Sequence, residues 1–281
     1  MAQAFSTEVP ADRIVWVNGF PCPPRAPIRA FHAAVSVGKL VLNKEDTRQV
    51  YEIVHDLAGD AGKRLFKRFT DTPYGRRVVT EPVQLEKILS DREALRTMPE
   101  GSLGRAYLAF MEGENLTPDG LLNAAEEAGI DYRGETQFEQ FRRLFLHISI
   151  SHDLWHVLTG YGRDALGELC NLVFTRKQTR NPGLVLINRV GMVAQKLSVP
   201  AAPVFACVRE AARMGEAVDF LLQRDVEAVL PRSLADVRRD LGFITPVVYN
   251  GVRAEVRNAI LKPKIKKTQA EREGKAVPAG A

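Results

Sequence analysis

The stretch TQFEQFRRLFLHISISHDLWHVL, residues 136–158, decides how this chain reads. Thr136 and Glu139 have the spacing of a capping box, in which each side chain accepts a hydrogen bond from the other's backbone amide at the start of a helix. Phe138, Phe141, Leu144, Phe145, Ile148, Trp155 and Leu158 follow it, so one helix is predicted from Thr136 to about Leu158. Its second half is apolar on nearly every side, as befits a helix surrounded by others. An all-α fold around this central helix is the expectation, and no alternating strand set competes with it.

Downstream, Gly160 and Gly162 stop the helix, and Asp164 is placed to cap a second one from Ala165 to about Lys177. Further helical stretches are predicted at 186–197, 203–223 and 233–241. Upstream, helical periodicity begins near residue 44, as in Val50, Ile53, Val54 and Leu57, with Gly59, Gly62, Pro73 and Gly75 marking ends. A short amphipathic helix is read from Val83 to Asp91. The segment 98–105 is a turn feeding a helix with Tyr107, Leu108 and Phe110, and Pro118 opens another. Residues 1–39 are read as an extended leader, because Pro10, Pro21, Pro23, Pro24 and Pro27 cannot build a helix interior. Between 40 and 255 no repeat or composition break divides the chain, so one helical domain is expected, followed by a basic flexible tail over 262–281.

The 281 residues, 45% of them hydrophobic, suffice for a continuous core. Three cysteines, Cys22, Cys170 and Cys207, are odd in number and far apart, which argues against both a disulfide framework and a cysteine metal knuckle. The start MAQAFSTEVPADR lacks the features of a signal or transit peptide, so the expected compartment is the cytoplasm. No stretch approaches the roughly 18 apolar residues of a membrane span. The net charge of +5 sits mostly in the tail, where six cations from Lys262 to Lys275 face Glu271 and Glu273. A nearly neutral body argues against a nucleic-acid groove.

Three of the five histidines, His147, His152 and His156, lie within ten residues on the central helix, where a buried polar side chain costs several kcal/mol unless paired or ligated. His152 and His156 differ by about 40° around the axis and can present two nitrogens to one ion. Asp153 could reach the same ion from the flank or handle a proton. On a continuous helix Glu168 would lie roughly 18 Å from His156. The glycine-rich reversal brings it back, so His152, Asp153, His156 and Glu168 form the candidate metal site on a helix hairpin. Nitrogen and carboxylate ligands without thiolate suit zinc, with iron or manganese as alternatives. The competing reading makes the histidines packed core residues. His147, about 140° from His152, is expected to pack or to support the ligands from behind. His55-Asp56 repeats the dipeptide without its context and is read as surface polarity.

The word His152-Asp153-Leu-Trp-His156, eleven residues and then Glu168 resembles the HDxxH-x11-E signature of the coenzyme Q (ubiquinone) biosynthesis protein 4 family. Thr72-Pro-Tyr-Gly-Arg-Arg77, Met98-Pro-Glu-Gly-Ser-Leu-Gly-Arg-Ala-Tyr107 and Thr159-Gly-Tyr-Gly-Arg163 also look like that family, over about residues 40 to 250. The resemblance implies a metal on those four positions and peripheral contact with the inner membrane. It also implies oxidative C1 decarboxylation of a polyprenylated 4-hydroxybenzoate-derived precursor, a lyase role, together with organisation of other ubiquinone biosynthesis enzymes. A non-catalytic lipid-binding scaffold that presents quinone intermediates is the alternative, and a homodimer or larger assembly is the prior for either. A tail-binding groove would fall near Val204, Phe205, Ala206, Val208, Ala211 and Ala212, which read equally as core. Arg163 could pair with a substrate carboxylate, Asp164 or Glu168. A phosphohydrolase of the HD type would need His55 and Asp164 as further ligands, and their contexts match poorly.

Overall fold

Helix begins where the prolines stop. Pro21, Pro23, Pro24 and Pro27 keep their segment extended, and at Ala30 a run of helix-compatible residues opens the first of sixteen α-helices among the described residues. The computed structural model describes residues 8–42, 46–81, 85–117, 120–127 and 129–260. The helices are α1 (Ala30–Leu42), α2 (Thr47–Asp56), α3 (Ala61–Thr70), α4 (Pro73–Thr80), α5 (Leu85–Ser90), α6 (Arg92–Thr97), α7 (Leu103–Gly113), α8 (Gly120–Glu127), α9 (Glu139–Thr159) and α10 (Ala165–Thr179). They continue as α11 (Pro182–Ser198), α12 (Val204–Ala217), α13 (Val226–Val229), α14 (Leu234–Leu241), α15 (Val247–Asn250) and α16 (Ala254–Ala259). The expected starts at Val83 and Pro118 and the lysine-rich tail lie outside the described residues.

The first forty residues depart from an extended leader. α1 occupies Ala30–Leu42, and before it β1 (Val15–Val17) and β2 (Phe20–Cys22) pair antiparallel, Val17 opposite Phe20. Asn18 and Gly19, at φ of 53° and 85°, close this ribbon with the left-handed pair that matches strand twist. The Asn18 amide donates to the Lys67 carbonyl at 3.1 Å and to Thr70 Oγ1 at 2.8 Å, which docks the ribbon on α3. Phe20 meets Phe66 edge-on, and Phe66 meets Phe141, so the ribbon connects to α9 through rings. Such pairs add about 0.5–1.5 kcal/mol beyond area burial.

α9 is the central helix that its all-round apolarity predicts: α3, α4, α5, α7, α8, α10 and β2 all pack on it. It starts at Glu139 with Phe138 at the cap position, two residues later than the capping box implies. Thr136 Oγ1 accepts from the Phe138 amide at 3.2 Å, closing a local turn instead of capping the helix. The stretch predicted as one helix over 203–223 breaks at Val218. Buried Gln178 takes over there, accepting from the Leu221 amide at 2.8 Å and donating to the Val218 carbonyl at 3.3 Å.

Two of the quoted family words act as fasteners. Thr72 caps α4 by accepting from the Gly75 amide at 3.0 Å, with Pro73 at the first helical position. The 98–105 turn is stitched to a distant segment: Leu103 and Gly104 donate to the carbonyls of Arg232 and Leu230, each at 2.8 Å. Those bonds fix where α7 enters and which of its faces meets α9. Among the described residues no helix is long and apolar enough to cross a membrane.

Candidate metal centre

Gly160 ends α9 at φ 77°, its amide bonded to the His156 carbonyl at 2.9 Å. Four residues later Asp164 restarts the helix, its Oδ1 accepting from the Gly167 amide at 3.1 Å. The turn is too tight for side chains at two positions. A Cβ on Gly167 would lie 2.1 Å from the Gly162 carbonyl oxygen, and one on Gly162 would lie 2.8 Å from Tyr249 Oη. This packing places Glu168 in the first turn of α10, facing the last turns of α9.

Three of the four predicted residues come together. The nearest ligand atoms of His152, His156 and Glu168 all lie within 4.8 Å of one another. His156 Nε2 is 3.3 Å and His152 Nε2 3.9 Å from Glu168 Oε2. The two imidazoles stand edge to face at 4.8 Å. His156 is 1% exposed, and its Nδ1 donates to the Tyr161 carbonyl at 3.0 Å. A carbonyl only accepts, so Nδ1 carries a proton, and in the neutral form of the ring the Nε2 lone pair is directed at a carboxylate oxygen. Buried Nε2 has no hydrogen-bond partner. Two such atoms 3.3 Å apart need a proton or another positive group between them, and two imidazoles with a carboxylate form a donor set that could hold a divalent cation.

Asp153 does not join the three. Its Oδ1 lies 3.3 Å from His152 Nδ1, where it can hold the proton on that nitrogen and free Nε2 for the cluster. Arg163 takes the Glu168 side of its predicted choices, with Nε 3.5 Å from Oε1. Burial opposes ionisation of Glu168; in the metal-free protein the contact with His156 and the charges of protonated His156 and His152 and of Arg163 outweigh it and hold the carboxyl at about 2, and a bound cation would take the place of those protons. For His152 burial works downward, and the Asp153 contact with the Glu168 and Asp153 charges turns the net shift upward from 6.5. The cluster is open on one side only: the side chains of His152 and Glu168 are 20% and 32% exposed, that of His156 not at all.

α7 supplies neighbours that pattern reasoning missed. Phe110 stacks on the His156 ring at 5.7 Å, and Tyr107, one turn earlier, is 1% exposed with a hydroxyl that bonds to nothing. The available signal was their i, i+3 spacing beside the 98–105 turn. The other candidates separate. Asp56, read as surface polarity, is 2% exposed and receives His32 and Arg29, tying α1 to α2. Its burial follows from α1, which the extended-leader reading omitted. Neither His55 nor Asp164 joins the cluster, so the ligand set of an HD phosphohydrolase is not assembled. On α12, Val204, Cys207 and Ala211 are fully buried and the helix packs broadly on α10, so its small residues serve helix packing. α10 meets α9 through His156–Glu168 and through the rings of Trp155 and Phe174, 5.9 Å apart, but its broadest contact is with α12.

The chain is similar to known proteins over most of its length. The profile of the family described as coenzyme Q (ubiquinone) biosynthesis protein Coq4 matches residues 25–247, which takes in α1 as well as the region from residue 40. The ubiquinone biosynthesis protein COQ4 homolog, mitochondrial, of Homo sapiens is 26% identical over 209 residues, 71% of this chain and 73% of that protein. Its Bos taurus counterpart is 26% identical over 203 residues, 70% and 72% of the two chains. The fold is shared with the crystal structure of a protein assigned to ubiquinone biosynthesis from Nostoc punctiforme PCC 73102, at a TM-score of 0.56 and 17% identity, over 76% of this chain and 98% of that one. With the match spanning α1, the central helix and the His–Glu cluster, this chain belongs to the Coq4 family of ubiquinone biosynthesis proteins.

Proposed function

We propose that this chain binds one divalent metal ion, zinc by preference over iron or manganese, through His152, His156 and Glu168. With it the chain carries out the C1 decarboxylation of a polyprenylated 4-hydroxybenzoate-derived precursor of ubiquinone. The observation that carries the reading is the buried, partnerless Nε2 of His156 facing Glu168. What a divalent ion supplies in such a site is positive charge for a head-group carboxylate or phenolate oxygen. Glu168, ionised across the whole physiological range, and the two Nε2 lone pairs are the groups that hold it. Asp153 orients His152, and as the remaining carboxylate beside the cluster it is the residue assigned to take a substrate proton. Phe110 walls off His156 from water. An oxidative decarboxylation that leaves a hydroxyl at C1 removes two electrons and adds one oxygen atom, and none of these side chains supplies either, so the reaction is expected to consume dioxygen, or water together with another two-electron oxidant.

A polyprenyl tail brings the substrate to a membrane surface, and peripheral contact with the inner membrane is part of the proposal. The exposed Phe31 and Leu197 are the kind of side chain such contact uses. The second reading is a scaffold that presents quinone intermediates to partner enzymes, its metal bracing the turn between α9 and α10. Complete burial of the His156 side chain favours it, since a structural ligand needs no access.

The deciding experiment supplies metal-loaded protein with precursor labelled at the C1 carboxyl carbon, in mixed micelles under air. Labelled carbon dioxide from the native chain, absent from a His152→Ala, His156→Ala variant, supports the enzyme. Tight precursor binding without carbon dioxide release, under conditions where the lipid is fully presented, would replace it with the scaffold.

A further inference from the structure

The turn that joins the two ligand-bearing helices is held from outside by residues 80 to 87 positions downstream. Arg238 of α14 donates Nε to the Leu158 carbonyl at 2.9 Å and Nη2 to the Val157 carbonyl at 2.7 Å, satisfying carbonyls that the end of α9 leaves free. On the other side of the turn Tyr249 of α15 is 1% exposed. Its hydroxyl accepts from the Gly162 amide at 2.9 Å and donates to Asp164 Oδ2.

Asp164 therefore has three attachments: Oδ1 caps α10 through the Gly167 amide, and Oδ2 receives Tyr249 and lies 4.0 Å from Nη1 of Arg257. The Glu168 amide bonds to the Asp164 carbonyl at 2.9 Å, so the position of Asp164 sets that of the ligand one turn on. Tyr249 is itself anchored. Glu210 of α12, 5% exposed, accepts from the amides of Val248 at 2.9 Å and Tyr249 at 3.2 Å. Tyr161, whose carbonyl orients His156, meets the Tyr249 ring edge-on at 5.2 Å. One phenol thus touches the backbone of the turn, the cap of α10 and the residue that sets the His156 tautomer.

We propose that Tyr249 is a positioning residue for the metal centre, acting through Asp164 and Gly162 to hold Glu168 at its distance from His156. The inference rests on the metal-binding reading of the cluster. Outer partners of this kind change metal affinity by about tenfold to a hundredfold without touching the ion.

The test uses the full chain and the Tyr249→Phe variant, which keeps the ring packing and removes both hydroxyl bonds. Zinc affinity is measured by chelator competition, and the cobalt-loaded forms are compared by visible absorption, which reports ligand geometry. A Tyr74→Phe variant, at a buried tyrosine on α4 remote from the turn, controls for general loosening. The expected result is at least a tenfold loss of zinc affinity and an altered cobalt spectrum in Tyr249→Phe alone. Native-like affinity and spectrum in Tyr249→Phe would overturn the positioning role while leaving the metal site intact. Absence of zinc binding by the native chain would overturn the metal reading and the inference with it. Should Tyr249→Phe not fold, Asp164→Asn, which retains a capping oxygen, is expected to weaken zinc in the same direction, and unchanged affinity there overturns the inference equally.

Discussion

α9 carries the same side chain on two faces with opposite surroundings. On one face His152 and His156 meet Glu168 and Asp153. On the other His147, 4% exposed, lies between the rings of Phe69 and Tyr74 and lines a cavity of about 20 Å³ with apolar side chains that include Leu154, Trp155, Leu158 and Leu222. Burial pushes His147 down to about 4, whereas acidic partners raise His152. Burial alone therefore does not make a histidine a ligand; what separates the two faces is the carboxylate that a neighbouring helix brings.

The largest expected effect breaks the first face. In His152→Ala, His156→Ala, metal content should fall from about one ion per chain to background, read by elemental analysis. Retained metal would move the site elsewhere. In the native chain protons compete with metal, and because His152 is raised from its ordinary value, uptake should weaken on acidification at a higher pH than for a site of ordinary imidazoles.

Next comes Glu168→Gln, which keeps the shape and removes the charge. Affinity should fall by more than about a hundredfold, beyond the cost of losing an outer partner. The His152 titration followed by NMR should move down in the metal-free variant, since the Glu168 charge helps raise it. An unmoved His152 would contradict the contact.

The second face is broken by pH. His147 has a folded pKa of about 4 against an ordinary 6.5, so between those values the unfolded chain binds a proton that the folded chain does not. Stability should fall on acidification through that window, by about 3 kcal/mol in all. His147→Leu should flatten that slope in urea titrations while leaving metal content unchanged. The first face holds groups that run in opposite directions. His152, raised, contributes fully below 6.5 and loses its contribution as pH rises through its folded value. Glu168, lowered, contributes fully above 4.5 and loses it only as pH falls toward 2.

The smallest effect sharpens the role of Asp153. If it only orients His152, Asp153→Asn should weaken metal by about tenfold to a hundredfold in chelator competition. A loss as deep as that of Glu168→Gln would make Asp153 a ligand.

Much of the centre was legible because it obeys local rules. A four-residue interval places two rings on one helix face whatever surrounds it, and a glycine reversal followed by an aspartate N-cap announces a returning helix. α9 and α10 were read within a few residues for that reason. α1 was missed because prolines through Pro27 coloured the reading of residues beyond them, and Ala30–Leu42 carries no proline of its own. Asp56 was misread in consequence, since the face that buries it belongs to α1.

By itself the sequence determined the helical class, the order of its main elements and the residues able to ligate, because periodicity, caps and spacing act within a few turns of chain. Only the tertiary structure decided that Glu168 meets His156 while Asp153 turns to His152, that Phe110 covers the cluster and that Tyr249 and Arg238 grip its turn. Those contacts join helices that lie tens of residues apart. Their geometry depends on how packed helices cross, and no local pattern in either partner encodes that.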